Sequence, residues 1–249
     1  MREGKEQTLI TMGDFSIDEM DHLIRQASEI EDAGTRIDFL SGGFLNLPYQ
    51  ESTLIGDIKT PEVLIINLKG VDCFTFLDYV EAMRLSHSFT EFKKNLRRIR
   101  YKSGNVSFKN RNHFFTDWKE NNLNFVSDIT VEIGGHRIMR IQKYLNQKAG
   151  ATSFIQGIPP KKREIVYLPS GAIDQPVLDK LRTGDYVGIY AMSEGLDVTH
   201  VGIIIRSIDE VYLRHASSKE FKVIDQNFMT YIADKPGIVV LRPKGPHEG

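Results

Sequence analysis

A single cysteine, Cys73, leaves this 249-residue chain without a partner for an internal disulfide. No run of about 18 apolar residues occurs, so no segment reads as an integral membrane span. The opening MREGKEQ also lacks the apolar stretch of a secretory signal. Charge of one sign is missing too: 32 basic and 33 acidic side chains give a formal net charge of −1, which supplies no overall field for nucleic acid or anionic membranes. A nucleic-acid partner is therefore not expected. The seven histidines show no HExxH and no close pair, the spacing of a catalytic zinc helix, so neither a metal nor another cofactor is expected. Internal repeats, low-complexity stretches and linkers are absent. With 41% hydrophobic residues the length allows one large domain or two small ones, and a single domain over 1–249 is the reading favoured.

What is present is chemistry around that one cysteine. Cys73 lies in VDCFTFLDYVEAM, where Phe74, Leu77, Val80, Ala82 and Leu85 recur at roughly helical spacing, which places the thiol on the first turn of an amphipathic helix. The thiolate is the attacking species of a cysteine nucleophile, and a free thiol with a pKa near ~8.5 is mostly protonated at neutral pH. A helix N-terminus lowers that value, and so does a neighbouring imidazolium; Cys73 is expected to have both. THVGIII and YLRHASS each read as a strand carrying one histidine, His200 and His215, and adjacent strands run about 5 Å apart. His200 is the candidate general base and acid, His215 the group that orients its ring, and the Cys73 backbone N–H one donor to the oxyanion. The second donor is not identified. Singly, the cysteine reads as a small core side chain and each histidine as a satisfied strand residue. Their conjunction favours a cysteine hydrolase.

The segments DCFTF, RTGDYVGIY, THVGIII and LRHASS together resemble the NlpC-type superfamily of papain-like cell-wall cysteine hydrolases, in order and in residue type. A narrower resemblance covers most of the chain. FLNLPYQESTL, LIINLKGVDCFTFLDYVEAM and RNHFFTDWKENN are similar to a longer branch described as N-acetylmuramoyl-L-alanine amidase-like and formerly catalogued as a domain of unknown function. The last segment is absent from a minimal NlpC domain. The resemblance implies a single catalytic domain with a papain-like α+β fold, the catalytic set Cys73, His200 and His215, and hydrolysis of the amide between the lactyl group of N-acetylmuramic acid and L-alanine. It implies 1,6-anhydro-muropeptides as substrates, peptidoglycan fragments as the binding partners, and a periplasmic or cell-envelope location. Two other readings keep the fold: cleavage of the γ-D-glutamyl–diaminopimelate bond, and a muropeptide-binding module or acyltransferase.

Four further residue groups are candidates for substrate contact. Tyr49, upstream of the nucleophile, offers a hydroxyl to the substrate or caps the core. Arg111, His113 and Asp117 either line the cleft and recognise the muramoyl group, or satisfy one another and the backbone. Trp118, the only tryptophan, is either a sugar platform or a packing residue. The basic clusters at 93–102 and 160–164 read as solvated surface or as contacts for stem-peptide carboxylates.

Along the chain, Ser16 and Glu19 form a capping box for a helix to about Ile30 that Gly34 closes. Helices follow over about 37–45, 73–86 and 89–100. An irregular or hairpin-like stretch turns at Ser103-Gly104-Asn105, and strands at 124–133 and 136–140 flank Gly134-Gly135 as a hairpin. From 163 onward six strands follow in succession. The expected class is α+β, with an N-terminal helical part over about 1–100, an insertion over about 101–162, and a C-terminal β part over about 163–249 whose antiparallel sheet packs on the nucleophile helix.

Overall fold

The computed structural model describes residues 8–148 and 152–245. The N-terminal part holds four helices, α1 (Ile17–Ser28), α2 (Ala33–Gly42), α3 (Cys73–Arg84) and α4 (Phe89–Arg100), together with a small parallel pair of strands, β1 (Thr8–Thr11) and β2 (Leu64–Asn67). The main sheet is antiparallel in every pairing. Its strands are β3 (Val126–Asp128), β4 (Met139–Leu145), β5 (Lys161–Pro169), β6 (Tyr186–Tyr190), β7 (Val198–Arg206), β8 (Val211–Ser217), β9 (Lys222–Asn227) and β10 (Gly237–Pro243). They run in the order β4-β5-β10-β6-β7-β8-β9, with β3 added on β10. Short helices α5 (Phe115–Asn121), α6 (Thr130–Gly134), α7 (Gln175–Leu178) and α8 (Phe228–Ile232) fill the connections. The α+β class expected from the sequence holds.

The central strands read as unbroken apolar runs because both faces of the sheet are covered. Successive side chains alternate between two cores. Tyr186, Tyr190, Ile203, Val239 and Leu241 join the cluster that contains α3, whereas Val187, Ile189, Ile204, Ile238 and Val240 join a second cluster around α8 and Val177. α3 is thus packed on one face of the sheet, against β7 and β8.

Three expectations are corrected. Gly34 does not close α1, which ends at Glu29; it lies in the first turn of α2, where a Cβ would stand 2.3 Å from the Thr183 carbonyl oxygen. The glycine is there so that the turn before β6, with Gly184 at φ +91°, passes close by. α2 itself starts at Ala33, four residues before the expected position, because Asp32 caps it by accepting from the Thr35 N–H at 2.7 Å. Residues 124–140 are not a hairpin: β3 pairs with β10, 130–134 turn into α6, and β4 pairs with β5. The stretch expected as an insertion therefore supplies strands of the main sheet itself.

Candidate active site

Cys73 is the first residue of α3, and Asp72 is its cap. Asp72 Oδ1 accepts the backbone N–H of Phe74 at 3.0 Å and of Thr75 at 2.7 Å, while Thr75 Oγ1 accepts the Asp72 N–H at 3.0 Å. This reciprocal box fixes the helix start and with it the direction of the sulfur. Deeper in the helix, Asp78 accepts from Arg100 Nε at 2.7 Å and from Trp118 Nε1 at 3.0 Å, and Glu81 accepts from Arg84 at 2.7 Å and from the Tyr186 hydroxyl at 2.6 Å. Three neighbouring elements, α4, α5 and β6, thereby hold α3 in place.

The thiol is half-buried. Burial first, and then the Asp72 carboxylate, push it up to about 12, against backbone N–H groups of Val201, Cys73 and Phe74 that pull it down. A helix N-terminus alone would favour the thiolate. The cap that builds the helix end carries a negative charge beside the sulfur, and the resting group is a thiol.

His200 and His215, expected on adjacent strands, stand side by side. His200 Nε2 lies 2.8 Å from His215 Nδ1, with the rings perpendicular. His215 Nε2 lies 3.3 Å from Gln226 Oε1 on β9. The pairing of β6 with β7 slips between Ile189–His200 and Tyr190–Val198, which leaves Thr199 as an extra residue directly before His200. Such a bulge bends the strand and re-aims the side chain that follows it. Burial lowers His200 to about 3, helped by His215 and by the Lys235 ammonium, and burial also lowers His215. Both imidazoles are therefore neutral at pH 7. Tyr231 of α8 closes the group, its ring 5.0 Å from that of His215 and 6.1 Å from that of His200. Its hydroxyl is pushed up to about 12 by burial, with smaller contributions from Cys73 and Asp234.

The other candidates separate. Tyr49 bridges Val71, two residues before Cys73, and its hydroxyl is raised by burial, then by Cys73 and Asp72. Arg111 and His113 line a cavity of about 380 Å³ together with Asp72 and Phe74. Arg111 pairs not with Asp117 but with the buried Glu62 at 3.0 Å, and His113 Nε2 bonds the Phe108 carbonyl at 2.7 Å. Asp117 is turned away, held by Arg163 at 2.5 Å and Lys161 at 3.0 Å. Trp118 is fully buried, stacked on Phe115 and set edge-on to Tyr186, so it presents no face to a sugar. Of the basic clusters, Arg100, Lys161 and Arg163 are spent on these internal partners. A second hollow of about 230 Å³ is lined by His200, His215, Gln226, Tyr231 and Lys235. Sequence reading missed Gln226 and Tyr231. The register of the β8–β9 hairpin was the available signal for Gln226, because Leu213 faces Gln226 and His215 is its diagonal neighbour.

With this geometry in view, the family described as AmiA-like, N-acetylmuramoyl-L-alanine amidase-like, matches residues 39–238. The chain belongs to the AmiA-like family. Cys73, His200 and His215 all fall within the matched stretch, and the family makes the chain an amidase-like enzyme. An N-acetylmuramoyl-L-alanine amidase from Bacteroides uniformis, solved at 1.15 Å, is 29% identical, with 85% of this chain and 99% of that one covered and a TM-score of 0.71. A Legionella pneumophila protein, 20% identical over 91% of this chain and 94% of its own, shares the fold with a TM-score of 0.77. No protein of curated function matches. Among the described residues no three His, Cys, Asp or Glu side chains gather as a metal-binding group, and no helix is long and apolar enough to cross a membrane.

Proposed function

We propose that this AmiA-like protein is a cysteine-dependent peptidoglycan amidase that hydrolyses the N-acetylmuramoyl–L-alanine bond of 1,6-anhydro-muropeptides. The 2.8 Å contact between His200 and His215, on the two strands against which the helix that starts at Cys73 packs, is the observation that carries this reading. In it the chain is one catalytic domain of papain-like, NlpC type, acting on wall fragments in the periplasm or envelope.

Neutral thiol and neutral imidazole define the starting state. His200 takes the Cys73 proton through Nδ1, the ring nitrogen that His215 leaves free, as the sulfur attacks the lactyl carbonyl carbon. The negative charge that develops on the carbonyl oxygen is met by the Cys73 backbone N–H and the Tyr49 hydroxyl. Collapse breaks the C–N bond, His200 returns its proton to the departing alanine nitrogen, and a thioester remains on Cys73. Water, deprotonated by the same imidazole, then releases the muramic acid carboxylate and restores the thiol. The imidazolium that exists between these steps is the species His215 stabilises. The cavity beside Arg111 and His113 takes the muramoyl group in this reading, while Asp117 and Trp118 serve the scaffold.

Product masses from a GlcNAc-anhydro-MurNAc-tetrapeptide and from its counterpart with an intact reducing end test the substrate assignment. Free anhydro-disaccharide and intact tetrapeptide, formed much faster than from the reducing-end compound, are expected. Equal rates would remove the anhydro preference, and L-Ala-D-Glu left on the sugar would move the cut to the γ-D-glutamyl–diaminopimelate bond.

A further inference from the structure

We infer that Gln226 is a positioning residue that sets the proton polarity of the histidine pair; the inference rests on the proposed roles of Cys73 and His200. Gln226 Oε1 is an acceptor 3.3 Å from His215 Nε2, so that nitrogen carries the ring proton. A neutral imidazole with hydrogen on Nε2 has a bare Nδ1. His215 Nδ1 is therefore an acceptor, and the contact at 2.8 Å requires hydrogen on His200 Nε2. The same rule applied once more leaves His200 Nδ1 bare, and among the described residues it makes no hydrogen bond. The chain His200 to His215 to Gln226 thus runs in one direction and delivers a free base to the thiol.

Reversing the direction is chemically simple, and that is why an acceptor at its end matters. With hydrogen on His215 Nδ1, the pair would still be bonded, but His200 would carry hydrogen on Nδ1 and have no lone pair for Cys73. The two rings alone do not choose between these states. The charged groups around them are already engaged: Asp225 with Arg214 at 2.7 Å, and Lys235 with Asp234 at 2.7 Å. The bond from Gln226 is the polar contact that holds His215 from β9, and it favours the charged form of that imidazole.

Gln226→Leu and Gln226→Glu separate this role from simple packing. The leucine variant should keep the wild-type melting temperature and KM while kcat falls roughly 10- to 100-fold, the factor by which an unpaired buried N–H disfavours the productive tautomer. The glutamate variant keeps an acceptor, so it should recover kcat to within about threefold of wild type, and its carboxylate should move the acid limb of the pH profile upward. Nitrogen-15 spectra of the histidines read the polarity without any turnover: in wild type His200 shows hydrogen on Nε2, and in Gln226→Leu it shows hydrogen on Nδ1. Wild-type kcat or unchanged nitrogen signals in Gln226→Leu would overturn the inference, as would a glutamate variant as slow as the leucine one. Full hydrolysis by Cys73→Ala would instead overturn the nucleophile assignment, while the nitrogen spectra would still report on Gln226.

Discussion

Trp118 Nε1 donates to Asp78 Oδ1 at 3.0 Å, and both residues are out of contact with solvent. The residue that looked most like a sugar platform is instead a strut under the helix that carries Cys73. Trp118→Phe removes the donor and leaves a lone pair of a buried carboxylate unmatched. A loss of about 1–3 kcal/mol is expected for such a group, with KM for muropeptide unchanged at a temperature where the variant is folded. Urea titration alongside steady-state kinetics checks both; a raised KM with unaltered stability would return the indole to the substrate cleft.

Asp72 both builds the helix start and burdens the thiol. Asp72→Asn retains a side-chain oxygen for the N–H groups of Phe74 and Thr75 but removes the negative charge, so the Cys73 pKa should fall. Alkylation of Cys73 by iodoacetamide at pH 7 should therefore be faster than in wild type, as followed by intact mass. In wild type the rate should rise with pH without a plateau between pH 4 and 8, because burial and Asp72 hold the thiol at about 12 and His200 is neutral down to about 3. Slower alkylation of the asparagine variant would contradict this account of the thiol.

Three histidines that burial lowers make stability depend on pH in a defined direction. His200 is lowered to about 3 and His113 to about 4, each chiefly by burial, and His215 is lowered as well. Below an unfolded-state value of ~6.5 the unfolded chain binds protons that the native state refuses. Their contribution is fully present above that pH and is lost as pH falls through about 4 to about 3. The buried carboxyls of Asp185 and Asp197, which burial raises, act in the opposite sense, so the histidine part is read by difference. His113→Gln, which keeps a donor for the Phe108 carbonyl, should lessen the loss of stability between pH 7 and pH 5 relative to wild type. Parallel urea midpoints in the two proteins would contradict the assignment.

Gly34 tests the packing of α2 against the turn before β6. In Gly34→Ala the new methyl meets the Thr183 carbonyl oxygen at 2.3 Å, a clash with backbone that no side-chain rotation relieves. A loss of about 1–3 kcal/mol is expected for this overpacking, measured by thermal unfolding. A variant as stable as wild type would show that the turn moves freely.

Much of the scaffold was legible because its signals are local. The Ser16–Glu19 box, the helix over 89–100 and the strands from β6 to β10 are stated by capping residues and by runs of Val, Ile and Tyr, and all appear where those signals put them. Residues 124–140 were misread because β3 has its partner in β10, more than a hundred residues away, and no local pattern records that pairing. The His200–His215 contact followed from strand order alone. Gln226, Tyr231 and the Glu62–Arg111 pair did not, because each depends on side chains brought together from separate elements. The state of the thiol was misjudged for a related reason: the helix end was legible, but the depth of burial that opposes it is a property of the folded molecule.

The central claim is that Cys73 attacks the muramoyl–alanine amide. Mass spectrometry of GlcNAc-anhydro-MurNAc-tetrapeptide incubated with wild type and with Cys73→Ala tests it most directly. Free disaccharide and intact tetrapeptide are expected from wild type, and untouched substrate from a folded Cys73→Ala variant. Hydrolysis by the alanine variant at the wild-type rate, or untouched substrate with both proteins, would contradict it.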